Sequence, residues 1–259
     1  MDYRNLVTDM KDQVLVVRLT WPEKRNAMSH QMRVDLMDCV LRAEDDEAVK
    51  AIIFTGDGDK SFCAGANIPE LSARTLASEI GSAATLRKEL PTTIERLAKP
   101  TVAAINGYCF GAGLELALGC TVRIASDNAS LGQPEITLGQ IPGSGGTQRL
   151  YRFVGLGWAM QMVLTGEPVD TETALRIGLV TEFITCEYQS RFNPDHIECI
   201  QSKRQKSMRF AGLPDGIPDL TGIIRVTENL ITEFAGVSGA RDHDRAAVHI
   251  LESSYAEAE

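Results

Sequence analysis

The sequence predicts an α/β fold with parallel strands, and three observations carry that prediction. Short β-branched runs recur along the first half of the chain, stretches of helical periodicity separate them, and small-residue turns join strand ends to helix starts. Strands that alternate with helices pair in parallel through crossover connections. The pattern is compatible both with an open doubly wound sheet and with a stacked spiral.

The strand candidates are VLVVRL (14–19), AIIFTG (51–56), TVAAIN (101–106) and TVRIAS (121–126), most of them ended by Gly, Asn or Ser. Ser29 can cap a helix that runs to about Ala43, with Met32, Leu36, Met37, Val40 and Leu41 recurring on one face. A second helix is expected over 83–98. Beyond Gly178 the texture changes, and Gly212, Pro214, Gly216 and Pro218 break the chain. The core is therefore expected to span 1–185 and an atypical helical tail 186–259. Within the tail, 222–234 reads as a helix with Ile223, Val226, Leu230, Ile231 and Phe234 on one side.

Composition narrows the function classes. With 259 residues, 44% hydrophobic and 24% charged, the chain can bury a substantial core. No stretch approaches the roughly 20 apolar residues of a membrane span, and MDYRNLVTDMKD lacks the apolar run of a signal peptide, so a cytoplasmic location is expected. A net charge of −9 argues against nucleic-acid binding, which calls for a basic face. Lys203, Arg204, Lys206 and Arg209 form the one basic cluster that could support an RNA-binding or scaffold role, and such a run is usually a solvated face. The histidines, His30, His196, His243 and His249, lack the short spacings of zinc sites, and no metal is expected. The six cysteines include no CxxC pair and read as buried thiols.

Three segments carry candidate chemistry. In NGYCFGAGLELA (106–117) a strand passes through small residues into a helix start, where unpaired N–H groups can hold an oxyanion; a packing turn is the bland alternative. Glu115 lies in an apolar run, so burial should raise its pKa towards the range useful for proton transfer. A second carboxyl, Glu135, precedes the glycine-rich IPGSGGTQRL, and the two acids could serve as a pair. That glycine run lacks the order of a nucleotide P-loop. In SFCAGANI (61–68), small residues at a strand end offer a second backbone donor or simply a tight loop.

Together these segments resemble the enoyl-CoA hydratase/isomerase (crotonase) family, in order as well as in content. Five stretches carry the resemblance: WPEKRNA (21–27), 62–68, 107–117, 133–150 and ALRIGLV (174–180), spanning roughly 10–183. The resemblance implies a crotonase-like spiral of ββα turns with a C-terminal helical region, assembled as a homotrimer or a dimer of trimers. It implies an acyl-CoA thioester substrate and no separate cofactor, since coenzyme A is part of the substrate. The oxyanion hole would be the backbone N–H groups of Ala66 and Ala112. Hydratases of the family use two glutamates, and both positions are filled here, by Glu115 and Glu135; an isomerase or another enolate-forming member is the alternative. Coenzyme A would be held by Lys24 and Arg25 with Ala64, Ala66 and Ile68. Asn67 stands where the family commonly has Asp. From Cys186 onward the family pattern is not aligned, through divergence of the tail or an upstream shift of reading frame.

Overall fold

A computed structural model describes residues 3–11 and 13–184; the expected tail, with its basic cluster and its helix over 222–234, lies outside the described residues. The chain opens with an antiparallel hairpin, β1 (Leu6–Lys11) and β2 (Val14–Leu19). A 3-10 turn (Pro22–Lys24) leads to α1 (His30–Asp45). Ser29 caps α1 as expected, its hydroxyl accepting from the Met32 N–H at 3.1 Å. The buried face of α1 is Met32, Leu36, Cys39, Val40 and Ala43, whereas Leu41, expected on that face, is 50% exposed. Leu41 lies one residue past Val40, so the 100° step of the helix turns it away from the core.

β3 (Ala51–Gly56) and β4 (Ser61–Cys63) follow, then the short helices α2 (Ile68–Ser72) and α3 (Leu76–Ile80) and the longer α4 (Ser82–Arg96). Next come β5 (Thr101–Ile105), β6 (Tyr108–Phe110) and α5 (Ala112–Gly119). β7 (Val122–Ser126) and β8 (Ser130–Gly132) lead through a 3-10 turn (Pro134–Leu138) to α6 (Gly146–Thr165). β9 (Val169–Asp170), α7 (Thr171–Arg176) and β10 (Glu182–Ile184) complete the described chain.

The strands form two sheets, of order β1-β2-β3-β5-β7-β10 and β4-β6-β8-β9. From β2 onward the larger sheet is parallel, and β4, β6 and β8 are parallel in the smaller one. From β3 to β8 each turn of chain therefore gives one strand to each sheet and then helices, which is the stacked spiral and not the open doubly wound sheet. All residues of β3 and β5 are buried, as parallel strands covered on both faces require. Phe54, Phe62, Ile105, Leu114 and Leu116 fill the space between sheets and helices.

Candidate active site

The first turn of α5 organises the site. Gly111 precedes it at φ 50°, a conformation that favours glycine. Gly113 packs so closely on the end of β4 that a Cβ there would lie 2.3 Å from the Cys63 carbonyl oxygen. This contact draws the start of α5 against the loop that follows β4. In that loop Ala66 forms a bridge with Met28, in which Met28 N–H donates to Gly65 O at 2.7 Å and Asn67 N–H donates to Met28 O at 3.2 Å. The bridge leaves the Ala66 N–H without an acceptor among the described residues, and the helix start leaves Ala112 in the same state.

Glu115 lies one turn beyond Ala112 on the same face of α5 and is 2% exposed. Its Oε1 accepts from Ser144 N–H at 2.6 Å and from Gly146 N–H at 2.8 Å. Gly146 is the first residue of α6, whose backbone leaves helical geometry at Gly155, so the positive end of the helical segment before that break faces this carboxylate. Burial raises the Glu115 pKa, while the two N–H donors and the charge of Arg33 oppose the rise. The glycine-rich run is thus an anion cradle after all, and the anion is the protein's own carboxylate. A glycine run directly before a long helical pattern is the sequence signal for such a cradle.

Glu135, half-buried on the turn after β8, comes to the other side of the α5 start. Its Oε1 is 3.0 Å from where a Cβ on Gly111 would stand. Burial, with the Glu115 charge second, pushes its carboxyl up to about 7. Gln133, fully buried, donates 3.0 Å hydrogen bonds to both Glu135 oxygens when its amide nitrogen faces them. The sequence does not single out Ser144 or Gly146, because their contacts with Glu115 on α5 are made only by the fold, nor Gln133, whose bond to Glu135 two residues on depends on the turn between them.

Lys24 and Arg25 are exposed beside this loop. Ala64 N–H donates to the Arg25 carbonyl at 3.1 Å, and the Arg25 guanidinium lies 5.4 Å from the Tyr108 ring centre. Ala64 and Ala66 are partly buried, and Ile68, half-exposed, opens α2. Asn67 caps α2, accepting from Glu70 N–H at 3.1 Å, so Asp is not required there.

A family model described as enoyl-CoA hydratase/isomerase matches residues 9–211. The chain belongs to the enoyl-CoA hydratase/isomerase family. The match runs past residue 183, where the motif resemblance stopped. Among relatives of the family, a crotonyl-CoA hydratase of Syntrophomonas wolfei is 42% identical over 190 residues, covering 72% of each chain. A short-chain-enoyl-CoA hydratase of Clostridium acetobutylicum is 40% identical, covering 71% of this chain and 70% of its own. An enoyl-CoA hydratase structure from Bacillus anthracis superposes with a TM-score of 0.69 at 25% identity, covering 98% of this chain and 90% of that one.

Proposed function

We propose that this chain is an enoyl-CoA hydratase that adds water across the 2,3 double bond of a trans-2-enoyl-CoA to give a 3-hydroxyacyl-CoA. The observation that carries the reading is the pair of carboxyls at the start of α5: Glu115 one turn beyond Ala112, and Glu135 against Gly111. The hydratase names of the relatives from Syntrophomonas wolfei and Clostridium acetobutylicum support it.

The chemistry follows from these groups. The thioester oxygen sits between the N–H groups of Ala66 and Ala112. Glu115 takes a proton from water as the water oxygen bonds to C3, and the electron pair of the double bond moves through C2 onto the thioester oxygen. The two N–H groups hold that enolate charge. Glu135 then delivers a proton to C2 and the carbonyl re-forms. A pKa near 7 lets Glu135 carry a proton at working pH and still release it.

In the same proposal, Lys24 and Arg25 with Ala64, Ala66 and Ile68 hold coenzyme A, whose phosphates need local cations on an acidic protein. The assembly is a homotrimer or a dimer of trimers. The free, buried thiols Cys39, Cys63, Cys109 and Cys120 suit a reducing compartment such as the cytoplasm.

Product analysis tests the reading against the isomerase alternative. Supplied with crotonyl-CoA, the protein should form 3-hydroxybutyryl-CoA. Conversion of a 3-enoyl-CoA to its 2-enoyl isomer with no hydration of crotonyl-CoA would overturn it.

A further inference from the structure

Arg33 is a buried cation that the mechanism above does not use. It lies on α1, one turn past the capping Ser29, and is 4% exposed. Its Nη1 donates to the Met28 carbonyl at 2.8 Å, the one hydrogen bond of its side chain among the described residues, and no carboxylate there lies within ion-pairing distance of it. The charged groups around it are already engaged. Glu79 takes Arg87 at 2.6 Å and Arg74 at 3.7 Å, and Glu70 accepts from the His30 N–H at 2.7 Å. Burial brings the Arg33 pKa down to about 10, so the guanidinium is still charged at neutral pH. An unpaired buried charge is costly, and an apolar side chain would fill the same space at less cost.

What Arg33 touches gives the charge a use. The Met28 carbonyl that it holds also accepts from Asn67 N–H, and Met28 N–H holds Gly65 O, so the hydrogen bond from Arg33 tightens the bridge that presents Ala66. Arg33 also lines a small cavity together with Met28, Ala112, Ser144 and Arg87, whose charge is already paired with Glu79. Ala112 is the second proposed oxyanion donor, and Ser144 N–H holds Glu115. One guanidinium thus holds the bridge partner of Ala66 and lines the same small cavity as Ala112 and Ser144.

We infer that Arg33 is a positioning residue: it fixes the Met28–Ala66 bridge behind the proposed oxyanion hole and supplies positive charge that keeps Glu115 ionised before it takes a proton and that faces the enolate as its charge develops. The inference rests on the roles proposed above for Ala66, Ala112 and Glu115. Of the charged groups bearing on Glu115 and its partner acid, Arg33 comes from α1 and Glu135 from the turn after β8. Removing Arg33 takes away the opposing positive charge, so the Glu115 pKa must rise.

Two measurements test this on the full chain, with Arg33→Met, Arg33→Gln and Arg33→Lys. The first is the pH profile of kcat/KM for crotonyl-CoA. Met and Gln should each lower kcat by ~10-fold or more, on the scale of a lost transition-state interaction, with less change in KM, and should move the acidic limb to higher pH. Lys should recover part of kcat and keep the limb near its wild-type position. The second measurement does not depend on turnover. Acetoacetyl-CoA, whose enolate absorbs in the near ultraviolet, should show a weaker enolate band on the Gln variant than on wild type. A Gln or Met variant with wild-type kcat and an unmoved limb, or an enolate band of equal strength, would overturn the inference. Failure of the wild type to hydrate crotonyl-CoA would sink the hydratase reading separately, leaving the enolate band to decide on Arg33.

Discussion

At the scale of single residues, two carboxyls of one chemical type stand in different surroundings, and the proposed mechanism gives them different tasks. Glu115 is fully buried, yet two backbone N–H groups, a helix start and Arg33 favour its ionised form. Glu135 is pushed to about 7 by burial and by the Glu115 charge, which suits it to carry a proton. If Glu135 delivers a proton to C2, it must enter protonated. Hydration kcat/KM should therefore fall as pH rises past about 7. Glu115 must enter ionised, so a second fall is expected as pH drops through its own pKa. A pH–rate profile that is flat from pH 6 to 9 would contradict this division of labour. Glu115 was legible in the sequence as an acid inside an apolar run, because burial follows from its neighbours. Its partners Ser144 and Gly146 were not, since their hydrogen bonds join α5 to the start of α6 about 30 positions away, and no local pattern records such a distance.

At the scale of elements, close backbone approach holds the site together. A Cβ on Gly113 would collide with the Cys63 carbonyl, and backbone cannot move aside as a flexible side chain can. Gly113→Ala should destabilise the fold by about 1–3 kcal/mol and separate the two oxyanion donors, lowering kcat as well. Urea unfolding and steady-state kinetics would check both effects. The basic turn before α1 should act on binding instead. Lys24→Glu combined with Arg25→Glu should raise KM more than it lowers kcat, because these side chains are proposed to meet coenzyme A and not the reacting atoms. An unchanged KM would remove them from the site. The long strands β2, β3, β5 and β7 were readable because β-branched runs mark fully buried strands. The three-residue strands β4 and β6 lie in segments that read as turns, and β8 carries no strand signal, each being too short for any period to show; it is they that distinguish a spiral from an open sheet. Family resemblance, more than periodicity, supplied that topology.

At the scale of the whole molecule, α6 presents Leu156, Met160 and Leu164, all exposed, at four-residue spacing. Such a stripe fits a surface covered on assembly, and sedimentation should report a trimer or a dimer of trimers. Leu156→Glu with Leu164→Glu should shift the mass towards monomer if this stripe is part of the contact. Among the described residues, no helix is long and apolar enough to cross a membrane. The central claim is that two carboxyls at the start of α5 hydrate an enoyl thioester together. It is tested most directly by kcat for loss of the enoyl-thioester absorbance of crotonyl-CoA in wild type, Glu115→Gln and Glu135→Gln. Gln keeps shape and hydrogen bonding but exchanges no protons, so each variant should lose at least ~100-fold in kcat with KM little changed. Hydration at the wild-type rate in either variant would contradict the two-acid mechanism.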